Sequence, residues 1–141
     1  MSNRYVYIYL ILVLVGFGDA AYLAALHFYQ ADPGCSLISG CDAVLSSEYS
    51  VILGIPLAYA GLAYYLFLIK GILFYFQYGS LLALKATQVV NSAGFIMSMW
   101  LVYLQAFVIN SFCQYCLLSA LVTSSLLITM WIGTRRYVEE V

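Results

Sequence analysis

The sequence predicts an all-α membrane protein, a bundle of four transmembrane helices in a single domain over 1–141. Of its 141 residues, 65% are apolar and only 8% are charged, and the mean hydropathy is +0.98. Soluble domains have roughly a quarter of their residues charged, so the chain has too few charges to cover a water-exposed surface. The net charge of −1 excludes the basic surface of a nucleic-acid-binding protein. A lipid bilayer is the expected partner.

The first span is predicted at 5–29, where an apolar run is interrupted only by Asp19 and His27. The other three spans are predicted at 54–75, 81–109 and 112–133, each long enough to cross a hydrocarbon core of about 30 Å. A loop over 30–53 joins the first two. No charged residue occurs from Ala86 to Thr134, a composition that no soluble helical hairpin tolerates.

The positions of the basic residues predict the orientation. The five Lys and Arg residues all fall at the same ends of the spans: Arg4, Lys70, Lys85, Arg135 and Arg136. The 30–53 loop has none, so it should face away from the cytoplasm, with both termini cytoplasmic in a multi-pass inner (plasma) membrane protein. A cleaved signal peptide ending near Ala20 is an alternative, but the apolar pattern continues through Tyr29.

Four cysteines form two pairs that this topology places on one side of the membrane. Cys35 and Cys41 lie in the loop, and Cys113 and Cys116 form a Cys-Gln-Tyr-Cys motif at the start of the fourth span. Both pairs face the compartment in which disulfides persist. The topology rests on charge and hydropathy alone, so this agreement is independent of it.

The local sequence predicts a reactive thiol in the Cys-x-x-Cys motif. Ser111 followed by Gln114 is a capping-box pattern, which makes Ser111 the expected N-cap and puts Cys113 in the first helical turn. Unpaired N–H groups and the helix dipole favour a thiolate there. Cys116, one turn deeper, is expected to be reachable from the membrane.

These positions suggest a relay of thiol–disulfide exchange. A soluble thiol protein cannot reach a pair at the hydrocarbon edge, whereas a loop pair can react outside and then exchange with the inner pair through a mixed disulfide. A lipid-soluble two-electron acceptor, such as a quinone, would complete the path. Two structural disulfides, or a zinc site of four thiolates, remain open alternatives on the residues alone.

Two segments resemble the vitamin K epoxide reductase family, in particular its prokaryotic members that oxidise thioredoxin-like proteins. One is Cys41-Asp42-Ala43-Val44-Leu45-Ser46-Ser47 with Gly54-Ile55-Pro56 after it, and the other is Phe112-Cys113-Gln114-Tyr115-Cys116. The resemblance extends over about 16–131. DsbB-type enzymes, the nearest alternative in chemistry, also have four helices and two cysteine pairs, but their Cys-x-x-Cys lies in the first outer loop.

The resemblance implies a four-helix bundle around a quinone pocket, capped by a short amphipathic helix near 42–49. It further implies that Cys35 exchanges with the partner protein, that Cys41 passes electrons to Cys113, and that Cys116 faces the quinone, either ubiquinone or menaquinone. Ser47 matches a hydroxyl of the family's pocket. No metal is implied.

Two further quinone-site positions depart from the vertebrate pattern. Vertebrate members present an Asn and a Tyr to the vitamin K oxygens, and Ser50 and Ala120 stand at the matching positions. Their loss disfavours epoxide reduction and leaves quinone reduction as the expected activity. Many bacterial members carry a fused thioredoxin-like domain, which is not found in this sequence, so the thioredoxin-like partner is expected in trans, in the periplasm or another extracytoplasmic space.

The resemblance implies no role for two polar residues of the first span. Asp19 lies near the middle of the span, where a charge costs at least ~2.5 kcal/mol. A proton route and a neutral, hydrogen-bonded structural carboxyl are both open, and the sequence favours the second. His27, near the outer end, is interpreted as a solvated residue in preference to a proton donor.

Overall fold

The computed structural model describes residues 1–32, 34–35 and 40–140 of the chain, so positions 33 and 36–39 of the predicted loop, and position 141, lie outside the described residues. The elements in chain order are α1 (Asn3–Tyr29), α2 (Cys41–Leu45), a 3₁₀ turn (Glu48–Ser50), β1 (Val51–Ile52), β2 (Ile55–Pro56), α3 (Leu57–Tyr78), α4 (Leu81–Leu104), a π-helical turn (Gln105–Ile109) and α5 (Gln114–Glu140). Four helices of the described chain are long and apolar enough to cross a membrane. The predicted all-α, four-helix membrane fold is confirmed.

The four long helices form a ring in which α1 and α4 each pack against both α3 and α5. One end of the bundle is formed by the last residues of α1 and the first residues of α3 and α5. We call it the loop end. The tightest apolar packing lies in the opposite half, around Tyr9, Leu68, Ile72, Leu126 and Met130. The loop-end half contains the four cysteines.

The segment between α1 and α3 is less regular than the single half-helix predicted near 42–49. α2 ends at Leu45, and the 3₁₀ turn begins only at Glu48. The hydroxyls of Ser46 and Ser47 donate hydrogen bonds to the carbonyl oxygens of Asp42 and Val44. Such local side-chain bonds compete with helix propagation, so the two serines separate the predicted helix into two short pieces.

The second span begins three residues later than predicted, because a β-hairpin occupies its expected start. β1 pairs with β2 in antiparallel register, and the two-residue turn between them has positive φ at Leu53 (53°) and Gly54 (80°). Positive φ at both central residues is typical of a type I′ hairpin turn. The Gly54-Ile55-Pro56 segment therefore belongs to the hairpin, and α3 starts at Leu57.

The fourth span is predicted over 112–133, whereas α5 begins at Gln114 and continues to Glu140. Gly133 does not end the helix: it lies inside α5 and lets Met1 and Tyr5 pack against the helix backbone. Hydropathy marks only the apolar part of a helix, so the charged last turns were not included in the prediction. The bounds of the third span, 81–109, agree with α4 and its π-helical turn.

Candidate active site

All four cysteines meet in one cluster at the loop end. Cys35 and Cys41 form a disulfide with their Cα atoms 6.2 Å apart, and Cys113 and Cys116 are both free thiols. Cys41, Val44 and Cys113 are buried against one another, and Cys35 and Cys116 pack at the edges of this group. The two pairs predicted on one side of the membrane are thus in contact.

The start of α2 lies directly on the segment that precedes α5. A Cβ atom placed on Gly40 would be 2.5 Å from the carbonyl oxygen of Phe112, closer than any real contact permits. The backbones at these two positions can therefore approach only because residue 40 has no side chain. Since Gly40 and Phe112 are the neighbours of Cys41 and Cys113, this approach sets how closely the two cysteine pairs pack.

Gln105 holds the segment before α5 in place. Its side-chain Oε1 accepts the backbone N–H of Cys113 at 3.0 Å, and its backbone carbonyl accepts the N–H of Ser111 at 3.1 Å. The side chain is 2% exposed, so both groups are satisfied away from water. Gln105 begins the π-helical turn, a feature often found at functional sites. This role was missed from the sequence, where Gln105 is only one of several amides in an apolar helix.

Cys113, rather than Ser111, occupies the N-cap position of α5. The helix begins at Gln114, and the carbonyl of Cys113 accepts the N–H of Leu117 at 3.0 Å, the first i to i+4 bond. The predicted N-cap is therefore wrong by two residues. The reason is that Gln105 takes the N–H of Ser111 and the N–H of Cys113, which keeps this segment out of the helix.

The N-cap position stabilises the Cys113 thiolate. A hydrogen bond from the Cys116 thiol, with further bonds from the backbone N–H groups of Cys116 and Tyr115, lowers the pKa of Cys113 to about 6 despite its burial. An N-cap side chain accepts from the N–H groups at the second and third helical positions, which here are Tyr115 and Cys116. The predicted reactive thiol therefore has a clear physical cause.

A cavity of about 800 Å³ lies between the helices at the loop end. Cys116 is among its lining residues and Cys113 is not. Sites for small molecules typically enclose about 300–1,000 Å³, with a mostly apolar lining and a few polar groups. This cavity falls within that range, and apolar side chains form most of its lining.

Two of the three predicted quinone-site residues line this cavity. Ser47 and Ser50 are both at its wall, and their hydroxyls donate to the carbonyl oxygens of Val44 and Ser47, each at 2.7 Å. Each hydroxyl oxygen keeps lone pairs that can accept from a hydroquinone O–H. Ala120 does not line the cavity; it is buried beside a separate, smaller depression of about 330 Å³.

The cavity has a polar side formed by α1, α3 and α5. Asp19 lines it, together with Tyr65, whose hydroxyl is 2.7 Å from that of Ser119 and 3.4 Å from that of Thr123. The Oδ1 atom of Asp19 is buried without a hydrogen-bond partner among the described residues. The hydrogen-bonded structural carboxyl that the sequence favours is therefore not observed at this oxygen.

His27 also lines the cavity, nearer the loop end, and its ring packs edge-on against Tyr59 with centroids 5.8 Å apart. On the α4 side, the side-chain oxygen of Asn91 accepts a hydrogen bond from the Tyr64 hydroxyl at 3.0 Å. Among the described residues, no group of three or more Cys, His, Asp or Glu side chains gathers where it could hold a metal ion.

The model of the vitamin K epoxide reductase family matches residues 7–131, which include both cysteine pairs and nearly the whole bundle. No curated protein matches the chain at a significant level.

Proposed function

The chain belongs to the vitamin K epoxide reductase family, whose members are membrane oxidoreductases acting on thiols and quinones, and on that premise we propose that it reoxidises a thioredoxin-like protein and passes the electrons to a quinone. One observation carries the proposal. The Cys35–Cys41 disulfide packs on the Cys113 thiol, and Cys116 lines a cavity large enough for a quinone.

The burial of the four cysteines supports an order of exchange. Cys35 is partly exposed, whereas Cys41 and Cys113 are each 0% exposed. A soluble protein can therefore attack the disulfide at Cys35 far more easily than at Cys41. Cys113 is buried against Cys41, which favours exchange with Cys41 over direct attack by a large partner, and Cys116 is the member of the inner pair at the cavity wall.

In the first exchange, a thiolate of the partner attacks Sγ of Cys35. The Cys35–Cys41 bond breaks, a mixed disulfide forms between the partner and Cys35, and Cys41 leaves as a thiolate. The partner's second thiolate then attacks this mixed disulfide and releases Cys35. The partner is oxidised by two electrons, and the loop pair is reduced by two.

In the second exchange, the Cys41 thiolate attacks Cys113 of an inner disulfide, and Cys116 is released. Cys35 then attacks Cys41, which restores the loop disulfide and releases the Cys113 thiolate. The pKa of about 6 makes Cys113 a good leaving group in this last step. A loop disulfide beside a free inner pair, as found here, corresponds to the product of this exchange.

A bound quinone would act as the two-electron acceptor. The chain's own residues provide the inner cysteine pair, with Cys116 at the cavity wall, and the hydroxyls of Ser47 and Ser50 supply polar contacts in the same cavity. Reforming the Cys113–Cys116 bond releases the two electrons. Ubiquinone and menaquinone are both compatible with this scheme, which requires no metal.

The distribution of basic residues supports a location in the inner or plasma membrane with both termini in the cytoplasm. In this orientation the loop end faces the periplasm or another extracytoplasmic space. The partner is then a thioredoxin-like protein of that compartment, acting in trans.

The test is an assay with purified protein, a reduced thioredoxin-like protein and a short-chain quinone. We expect hydroquinone to form in step with oxidation of the partner's dithiol. Replacing any of the four cysteines by Ala should abolish this coupled reaction, whereas Ser125→Ala, a substitution of similar size at a half-buried position of α5 that does not line the cavity, should not.

Two results would contradict the proposal. One is a quinone that stays oxidised with the unsubstituted protein, which would favour a noncatalytic membrane protein whose disulfides are structural. The other is one zinc ion per chain held by all four cysteines after purification without a chelator.

A further inference from the structure

Asp19 is a buried carboxyl group that lines the cavity and lacks a full set of partners. It lies in the interior of α1 and is 9% exposed, and its Oδ1 atom has no hydrogen-bond partner among the described residues. Buried polar groups are nearly always hydrogen-bonded, so an exception calls for an explanation. A ligand in the cavity is the nearest candidate for the missing partner.

The position of Asp19 along α1 brings it close to the inner cysteine pair. Tyr22 of α1 packs against Tyr115 at the start of α5, with ring centroids 5.3 Å apart. Asp19 lies three residues before Tyr22, on the same face and one turn deeper into the bundle. It is within electrostatic range of both Cys113 and Cys116.

Tyr65 of α3 also interacts electrostatically with Asp19. Its ring packs on α1 at Gly16, where a Cβ would lie 2.4 Å from the ring, so the absence of a side chain there permits the contact. The Tyr65 hydroxyl is already bonded to Ser119 and Thr123. The polar groups around Asp19 are thus engaged with each other, and the carboxyl group faces the cavity.

The surroundings of Asp19 favour its protonated form. No Lys or Arg occurs between Tyr5 and Ile69, and the one basic residue of α1 in that charge class, Arg4, lies fifteen residues before Asp19, about four helical turns away. Neither α1 near Asp19 nor the loop therefore offers a Lys or Arg to pair with a carboxylate. An unpaired charge at this depth is costly. A neutral carboxyl group carries a proton and can donate it as a hydrogen bond to a carbonyl oxygen, and a quinone presents two such oxygens.

We propose that Asp19 is the proton donor for quinone reduction in this cavity, an assignment that rests on the function proposed above. The reaction balances with Asp19 in this role. The Cys113 thiolate and the Cys116 thiol form a disulfide and give up two electrons. One proton comes from Cys116 and the second from Asp19, so that hydroquinone and the Asp19 carboxylate are the products. Water entering from the loop end, past His27, returns the proton to Asp19.

The test measures a single turnover of prereduced protein with a short-chain quinone. General acid catalysis contributes about 10²- to 10⁴-fold, so Asp19→Asn should slow hydroquinone formation at least ~100-fold while quinone binding is unchanged. Asp19→Glu should recover part of the rate. Thr87→Val, which alters a buried hydroxyl of α4 outside the cavity, should leave the rate as it is.

Two readouts separate proton donation from a structural role. Added formic acid should accelerate Asp19→Gly in proportion to its concentration, because a small acid can take the vacated space. Infrared difference spectra should show a protonated carboxyl band that disappears on quinone reduction and is absent in Asp19→Asn.

The inference is overturned if Asp19→Asn reduces the quinone at the rate of the unsubstituted protein. It is equally overturned if Asp19→Asn loses quinone binding and exchange between the cysteine pairs together, because that pattern indicates a structural carboxyl. If the unsubstituted protein reduces no quinone, the proposed function fails and the inference fails with it. Failure of the inference alone is recognised because the unsubstituted protein then still reduces the quinone.

Discussion

The side-chain oxygen of Gln105 accepts the backbone N–H of Cys113 at 3.0 Å, in a site where neither group meets water. This single bond joins the end of α4 to the first cysteine of the inner pair. It fixes the segment that must hold Cys113 against Cys41. The first prediction tests it directly.

Gln105→Met should destabilise the protein and disturb the inner cysteine pair. Methionine has a similar shape but offers only a weak acceptor, so the N–H of Cys113 stays buried without a good partner, at a cost of about 1–3 kcal/mol. Thermal unfolding should show a lower midpoint. Gln105→Glu retains an acceptor and should keep more of the stability, and Gln88→Met, the same change within α4, should have a smaller effect. Equal midpoints for the two Met variants would argue against this role for Gln105.

Gly40→Ala should slow exchange between the two cysteine pairs without affecting quinone reduction by the inner pair. The added Cβ would lie 2.5 Å from the Phe112 carbonyl oxygen, so the start of α2 must move away from α5. Misplacement of reacting groups by about 1 Å can cost about 100-fold in rate, and we expect a loss of about 10- to 100-fold in oxidation of the partner protein. Quinone reduction after direct reduction of the inner pair should stay normal.

The matched control for this experiment is Gly18→Ala, because a Cβ there meets no atom within 4 Å. Gly18 lies in α1, where alanine is a better helix former than glycine. If both alanine variants oxidise the partner at the rate of the unsubstituted protein, the contact between Gly40 and Phe112 does not control exchange.

The Cys113 thiolate should titrate with a midpoint near pH 6. Because its pKa is lowered from the usual value, the charged form persists at neutral pH and is lost only as the pH falls through about 6. Absorbance of the thiolate at about 240 nm, recorded while the Cys35–Cys41 disulfide is kept intact, measures this without requiring a reagent to reach a buried sulfur.

Cys116 variants identify the cause of the low pKa. Cys116→Ala removes the thiol that donates to Cys113, which is the largest contribution, so the midpoint should rise towards the unperturbed value of about 8.5. Cys116→Ser keeps an O–H donor and should stay closer to 6. Coincident titrations for the two variants would show that the side chain at 116 has no part in stabilising the thiolate.

Cys41 should form a disulfide with Cys113 faster than Cys35 does. The variant Cys35→Ser with Cys116→Ser leaves Cys41 and Cys113, which are buried together. The variant Cys41→Ser with Cys116→Ser leaves Cys35 and Cys113. Under a mild oxidant, mass spectrometry after proteolysis should find the first cross-link at least ~10-fold sooner, as the closer pair has the higher effective concentration. The reverse order would exchange the roles of Cys35 and Cys41.

The sequence predicts the bundle well because its signal is strong and local. Four apolar runs determine four helices, and the predicted third span, 81–109, has the bounds of the observed helix and its π-helical turn. The predictions are weaker where a residue forms hydrogen bonds with a segment outside its own helix. The N-cap was misplaced at Ser111 because its N–H is bound by Gln105, six residues earlier.

The sequence places the four cysteines at one end of the bundle but does not predict how closely they pack. Cys35 and Cys41 are grouped by the loop they share, whereas the contact of that pair with Cys113 depends on Gly40, a residue with no chemical signal of its own. Ala120 illustrates the limit of transferring positions from relatives. On α5 the side chain at 119 lines the cavity and the one at 120 does not.

The burial of Cys41 and Cys113 also limits where a reagent outside the membrane can enter the proposed relay. Cys35 is partly exposed, whereas Cys41 and Cys113, which would link the loop to the cavity, are both 0% exposed. A thiol dissolved outside the membrane, whether small or part of a protein, would therefore react first at Cys35. In the proposed relay the inner thiols are shielded by the same burial from dissolved oxidants, so their electrons would leave through the cavity and not directly to the aqueous compartment.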